Sequence, residues 1–283
     1  MNLFTESNLS PEIIKAVGEL GYEQPTEIQK LTIPFILSDI RDLIALAATG
    51  TGKTAAFSLP ILDMIDDTSR KIQLLVLCPT RELCLQITKD IKNYTKYLPN
   101  LKTVAVYGGS SIVDQMRSLK EKPQIIVGTP GRVIDLIKRK SLDFSAIHWL
   151  VLDEADEMLS MGFKDDLETI LSETPDEKQT LLFSATMNKE VEKISKNYHK
   201  KHKKHIDEKS ILRWKTDNKN TFNQNTEKNY SRNFILLFPW KNPQKQQNQN
   251  QTDIDNALYP IQEKPVYKIF HGWKLWNFLQ RIL

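Results

Sequence analysis

Apolar positions in the first two hundred residues switch repeatedly between helical spacing and short unbroken runs. Helical spacing holds over Ser10–Leu20 and again over Pro25–Leu37. The run Leu43–Leu46 reads as a buried strand. After a small-residue loop, the periodic stretch Ala55, Ala56, Phe57, Leu59, Ile61 and Leu62 reads as a helix. Further strands are predicted at Ile72–Cys78, Thr103–Tyr107, Gln124–Val127, His148–Leu152 and Thr180–Phe183. Between them the spacing predicts helices at Arg81–Tyr97, Ile112–Leu119, Arg132–Lys138 and Asp165–Leu171. This alternation predicts an α/β fold with a parallel, doubly wound sheet and crossover helices.

Lys189–Tyr198 still reads as an amphipathic helix, and then the sequence changes character. A basic cluster, His199-Lys200-Lys201-His202-Lys203-Lys204-His205, leads into an Asn/Gln-heavy stretch from Asp217 to Gln251 and a short apolar-aromatic end, Trp273–Leu283. Nine of the ten glycines lie at or before Gly162, and four of the five tryptophans lie after Tyr198, so strand–helix alternation is not expected to continue. The chain divides into a folded domain over 1–200 and a low-complexity, poorly structured tail over 201–283. Two readings of the tail stay open. One is a reading frame interrupted near His199. The other is a genuine basic extension that holds nucleic acid through charge. The His-Lys cluster also has the composition of a metal-binding tract.

Composition adds limits. With 283 residues and 40% apolar content the chain can bury a real core, and a net charge of +4 is too small to imply nucleic-acid binding by itself. Cys78 and Cys84 lack metal or redox spacing, which points to reduced thiols. No basic-then-apolar leader and no apolar run near about eighteen residues is present, so a cytoplasmic, non-membrane protein is expected.

Candidate chemistry gathers at two strand ends. Ala47-Ala48-Thr49-Gly50-Thr51-Gly52-Lys53-Thr54 follows the first strand and opens a helix. Glycines let backbone N–H groups converge on phosphate oxygens, and the helix N-terminus adds its dipole. Lys53 is placed for β- and γ-phosphates and the Thr54 hydroxyl for Mg²⁺. The strict pattern begins with Gly, where this chain has Ala47. A hundred residues on, the strand ending at Leu152 runs into Asp153-Glu154-Ala155-Asp156. There Asp153 suits a nucleotide-bound Mg²⁺ and Glu154 an attacking water, the alternative being an acidic helix N-cap.

These residues resemble the first RecA-like domain of a DEAD-box RNA helicase, from about Met1 to about Tyr198. Seven motifs occur in the family's order: Phe4 with Gly21-Tyr22-Glu23-Gln24-Pro25-Thr26-Glu27-Ile28-Gln29 (the Q motif), the phosphate loop, Pro79-Thr80-Arg81-Glu82-Leu83, Gly108-Gly109, Thr129-Pro130-Gly131-Arg132, Asp153-Glu154-Ala155-Asp156 and Ser184-Ala185-Thr186. The resemblance implies a RecA-like P-loop domain that hydrolyses ATP with Mg²⁺ and holds RNA by sequence-independent backbone contacts. It implies catalytic roles for Glu154, Lys53 and Asp153. Nucleotide contacts fall to Phe4, Tyr22, Gln29, Ala48, Thr49, Gly50, Thr51, Gly52, Lys53 and Thr54, with Thr54 and Asp153 holding Mg²⁺ through water. Asp156, Ser184 and Thr186 would couple the two ligands, and Thr80, Arg81, Gly109, Thr129, Gly131 and Arg132 would hold RNA.

Bland alternatives stand beside several of these roles. They are a hydrophobic staple for Phe4, an exposed helix glutamine for Gln29, surface-turn arginines for Arg81 and Arg132, and helix N-capping for Ser184 and Thr186. The sequence after Tyr198 matches none of the arginine motifs of the family's second RecA-like domain, so weak turnover by this chain alone is expected.

Overall fold

The computed structural model describes Phe4 and residues 7–201, 212–213 and 234–237, all within one compact unit, Met1–Lys241. Residues 242–283 and the remainder of the tail lie outside the described residues, as does most of the basic cluster after Lys201.

Two helices, α1 (Pro11–Glu19) and α2 (Glu27–Ser38), precede the sheet. Pro11 opens α1, where its missing N–H costs nothing, and α2 starts with a capping box between Thr26 and Gln29. Next come β1 (Leu43–Leu46), α3 (Lys53–Met64), β2 (Leu74–Leu77), α4 (Arg81–Tyr94), β3 (Thr103–Val106), α5 (Ile112–Leu119), β4 (Ile125–Gly128) and α6 (Pro130–Lys138). The described order closes with β5 (Trp149–Leu152), α7 (Ala155–Ser160), α8 (Lys164–Ser172), β6 (Gln179–Ser184), α9 (Lys189–Lys201), β7 (Leu212–Arg213) and β8 (Phe234–Leu237).

The sheet order is β3-β4-β2-β5-β6-β1-β8-β7. The first six strands of that order are parallel, with Leu43 opposite Leu181 and Leu74 opposite both Ile125 and Trp149. Two packed layers cover it. One includes Val17, Ile28, Ala55, Phe57, Ile87 and Phe183, and the other Val133, Leu136, Met158, Leu167 and Val191. Strands buried on both faces explain the unbroken apolar runs. Cys78 and Cys84 are free and buried, and the hydrogen bond with Cys84 together with burial holds the Cys78 thiol well above its ordinary range.

Three features differ from the sequence reading. The tail contributes strands β7 and β8, and these run antiparallel, so the sheet is mixed at one edge. The short helix α7 was not foreseen, because one turn and a half carries too little periodicity to register. Helix α6 begins at Pro130, which places Arg132 inside its first turn.

The order matters for function. Strand β6 separates β1 from β5, so the phosphate loop, Ser184-Ala185-Thr186 and the Asp153 segment stand side by side at one sheet edge. The loops after β2, β4 and β3 form the other half of that edge. Ligands of open parallel sheets bind along this C-terminal edge.

Candidate functional site

Gly50 and Gly52 of the phosphate loop have φ of 77° and 89°, the left-handed region, and Gly52 is the N-cap of α3. A Cβ on Gly52 would lie 2.4 Å from Gln29 Nε2. The Thr51 hydroxyl donates to the Ala48 carbonyl at 2.8 Å, while Ala48, Thr49 and Gly50 are exposed at the loop's mouth.

Lys53, first in α3, is buried, and its ammonium has no hydrogen-bond partner. The Asp153 carboxylate, at 3.9 Å, is its ion-pair partner. A buried cation without a hydrogen bond is costly unless an incoming anion completes it. Beneath it, burial pushes the Asp153 carboxyl up to about 6, opposed by Lys53. Glu154 is half-buried with φ of 54°, strained for a non-glycine residue, and burial raises its carboxyl as well. The residue is the N-cap of α7 but makes no side-chain cap hydrogen bond, so the capping alternative does not use its carboxylate.

The residues fit a nucleotide-borne Mg²⁺. Thr54 sits half-buried in the first turn beside Lys53, and Asp153 offers one carboxylate. Among the described residues, no group of three or more His, Cys, Asp or Glu could cage a metal. Mg²⁺ keeps most of its waters and takes one or two protein oxygens plus phosphate, which suits such a sparse donor set.

Gln29 is 3% exposed, so the exposed-glutamine alternative is overturned. Its Oε1 accepts from the Thr26 N–H at 2.9 Å and its Nε2 donates to the Gly52 carbonyl at 3.1 Å. The amide therefore binds the Q-motif segment to the phosphate loop. Phe4 is fully buried, with its ring centroid 6.5 Å from that of Tyr22, whose hydroxyl lies 3.3 Å from the Tyr94 hydroxyl. In this conformation Phe4 packs in the core, and no ring face is open to a base.

Asp156 Oδ2 accepts from Thr186 N at 2.9 Å and from Thr186 Oγ1 at 2.8 Å. Burial raises the Asp156 carboxyl, but hydrogen bonds from the Thr186 hydroxyl and from the Ala185 and Thr186 backbone N–H groups outweigh it and leave the carboxyl below its usual range. The buried Ser184 hydroxyl donates to the Thr186 carbonyl at 2.8 Å. Asn188, not Ser184 or Thr186, caps α9: its Oδ1 accepts from Glu190 N and Val191 N at 3.0 and 2.8 Å. The capping alternative for the serine and threonine is thereby corrected.

On the other half of the edge, Thr80 caps α4 by accepting from Leu83 N, and exposed Arg81 lies over the Tyr107 ring at 5.0 Å. A Cβ on Gly109 would meet Arg81 Nη1 at 4.0 Å, so the arginine and the glycine loop are neighbours. Thr129 is buried at the N-cap of α6, and Gly131 is half-buried. Arg132 faces inward: Nη1 donates to Gln115 Oε1 and Nη2 to the Ser110 carbonyl, each at 3.0 Å. The surface-turn alternative fails for Arg132, whose charge is braced by protein acceptors despite the positive helix end.

Sequence reasoning missed Gln115. This buried residue accepts from Tyr107 N, donates to the Tyr107 carbonyl and receives Arg132, so it ties the Arg81 platform to α6. Its signal was a polar residue on the apolar stripe of α5, between Ile112 and Leu119.

Asp153 carries a pH prediction. Its folded pKa of about 6 lies above the ordinary 3.8, so the folded state binds the extra proton. The associated stability, about 3 kcal/mol, is fully present below about pH 4 and lost as pH rises through about 6. On moving from pH 7 to pH 5, the thermal midpoint of the nucleotide-free chain should gain more in the wild type than in Asp153→Asn. Parallel midpoints would show that this carboxyl titrates normally.

Comparison with known proteins identifies the family. Residues 26–194 match the family model described as DEAD/DEAH box helicase. Over 195 residues the chain is 51% identical to the ATP-dependent RNA helicase DeaD of Mycobacterium tuberculosis, covering 69% of this chain and 34% of that protein. It is 50% identical to the ATP-dependent RNA helicase CshA of Listeria monocytogenes, covering 70% of this chain and 38% of the relative. Among solved structures, a DEAD box protein from the hyperthermophile Methanococcus jannaschii superposes with a TM-score of 0.66 at 42% identity. That superposition covers 69% of this chain and 53% of the other. The chain spans about a third of the length of the curated relatives it matches.

Proposed function

The chain belongs to the DEAD/DEAH box helicase family, and from that premise we propose that it is the ATP-binding half-site of an RNA-stimulated ATPase and RNA-duplex remodeller. The observation that carries this reading is the buried Lys53 ammonium without a hydrogen bond, set behind a left-handed glycine loop and beside Asp153. Triphosphate oxygens complete that cation. Lys53 binds the β- and γ-phosphates, while Thr54 and Asp153 hold Mg²⁺ through its water shell. When bound, the metal supplies charge neutralisation on the phosphates. Ala48 to Gly52 wrap the phosphates with backbone N–H groups, and Glu154, strained and half-desolvated, orients the attacking water.

Gln29 retains one amide hydrogen and a lone pair beyond its contacts with Gly52 and Thr26, enough to read the N6/N7 edge of adenine beside Tyr22. Stacking by Phe4 belongs to this reading only if its ring leaves the core. Arg81, Gly109, Thr80, Thr129 and Gly131 receive the sugar-phosphate chain, and Arg132 holds the loop beneath it. Asp156, Thr186 and Ser184 couple the Asp153 segment to the loop after β6, within the nucleotide half of the edge. The reading places the chain in the cytoplasm with RNA, and no helix among the described residues is long and apolar enough to cross a membrane.

Base choice tests the adenine assignment. ATP should outcompete GTP for the purified chain, because guanine presents a carbonyl where adenine presents an amino group. Equal competition would remove Gln29 from that role. A second reading, an ATP- and RNA-binding module without turnover, is favoured by the sequence after Tyr198, which matches no arginine motif of a second RecA-like domain. Steady-state ATPase with and without single-stranded RNA separates the two readings. RNA titrations with and without a non-hydrolysable ATP analogue should give equal, weak, salt-sensitive affinities, since only one set of RNA loops is present in the described residues. A several-fold tightening by nucleotide would show that the tail supplies the missing groups.

A further inference from the structure

Strand β1 delivers the phosphate loop, and it is buried: Leu43, Ile44 and Ala45 are 0–2% exposed. On one side it pairs with β6. On the other it would be the end of the parallel sheet, where a buried strand with unpaired N–H and C=O groups is costly. That outer side is instead laddered antiparallel to the tail: Leu43 opposite Leu237, Ile44 opposite Leu236, Ala45 opposite Ile235 and Leu46 opposite Phe234. All four β1 residues have partners. Leu212 and Arg213 pair in turn with Leu237 and Leu236 and shield the added strand.

The composition of the added strand fits the task. Phe234-Ile235-Leu236-Leu237-Phe238 is the longest unbroken apolar run after Tyr198, in a stretch otherwise dominated by Lys, Asn and Gln. Aromatic and β-branched residues favour extended backbone, and an uncharged segment suits a place beside a buried strand.

We propose that the outer edge of β1 is a strand-docking edge and that this chain's own segment Phe234–Leu237 occupies it, so the tail is part of the nucleotide-binding fold rather than an appendage. The inference stands apart from the ATP reading, because backbone pairing is measured without nucleotide. An interrupted reading frame and a docked tail are compatible: a strand edge selects extended, apolar backbone rather than a particular sequence.

Hydrogen exchange on the full chain tests it. Consecutive strand residues direct their N–H groups to opposite neighbours, and proline has none. The double variant Ile235→Pro/Leu236→Pro therefore removes a donor toward β1 whichever residue holds it. Exchange in a peptide covering Leu43–Leu46 should quicken about tenfold or more, with β2 and β5 unchanged. A synthetic peptide of residues 232–239 added in trans should restore slow exchange. Self-association of the variant, reversed by dilution, would equally show a bared edge that takes a strand. Unchanged exchange in β1 would overturn the proposal. So would free exchange of β1 in the unsubstituted chain, or uniform quickening of the whole sheet.

Discussion

Lys53→Ala should abolish detectable nucleotide binding while Glu154→Gln leaves it within about twofold and removes turnover, since general-base contributions run to about 10²–10⁴ in rate. The two residues lie near the same carboxylate but face different tasks. Lys53 is 6% exposed and its ammonium makes no hydrogen bond, so its free energy of burial is recovered only when phosphate arrives. Truncating one partner of a buried charge pair costs about 2–5 kcal/mol, or roughly thirty- to several-thousand-fold in affinity. Glu154 is partly open to solvent, and glutamine keeps its shape while losing the ability to take a proton. Fluorescent-nucleotide titration and single-turnover hydrolysis on both variants measure the split. Equal loss of affinity in the two would make Glu154 a structural residue.

Gly52→Ala should cost about 2–5 kcal/mol of stability and most of the nucleotide affinity, through two separate effects. The first is backbone strain: φ of 89° is left-handed, and a Cβ there costs about 1–2 kcal/mol. The second is the clash at 2.4 Å with Gln29 Nε2. Gln29 is buried and bonded to both Thr26 and Gly52, so it has little room to retreat, and leaving its amide unpaired costs about 1–3 kcal/mol more. Gly50→Ala is the control. Its φ of 77° carries the strain, yet a Cβ there meets nothing within 4 Å. The midpoint of Gly52→Ala should therefore fall well below that of Gly50→Ala, by about 2–4 °C for each additional kcal/mol. Equal midpoints would mean that Gln29 moves aside freely and does not brace the loop.

The phosphate loop was legible because strand, glycine turn and helix start are contiguous, and left-handed backbone demands glycine locally. Helix α5 matched its expected limits because an eight-residue amphipathic stripe carries its own signal. Asn188 was overlooked as the cap of α9 because Ser184 and Thr186, which have the same capping chemistry, stand just before it. The inward turn of Arg132 was hidden because its acceptors, Gln115 and Ser110, lie fifteen or more positions away and reach it only through the packing of α5 on the sheet.

By itself, the sequence determined the α/β alternation, the run of motifs and the chemistry available at each strand end, since hydrophobic period and backbone demands act over a few neighbouring residues. Tertiary structure decided which strand ends share an edge. It set β6 between β1 and β5, brought Gln29 against Gly52, left Lys53 buried without a hydrogen bond, drew Phe4 into the core and laid Phe234–Leu237 along β1. These outcomes depend on which distant surfaces bury each other and which polar groups then find partners, and residue spacing along the chain carries no record of either.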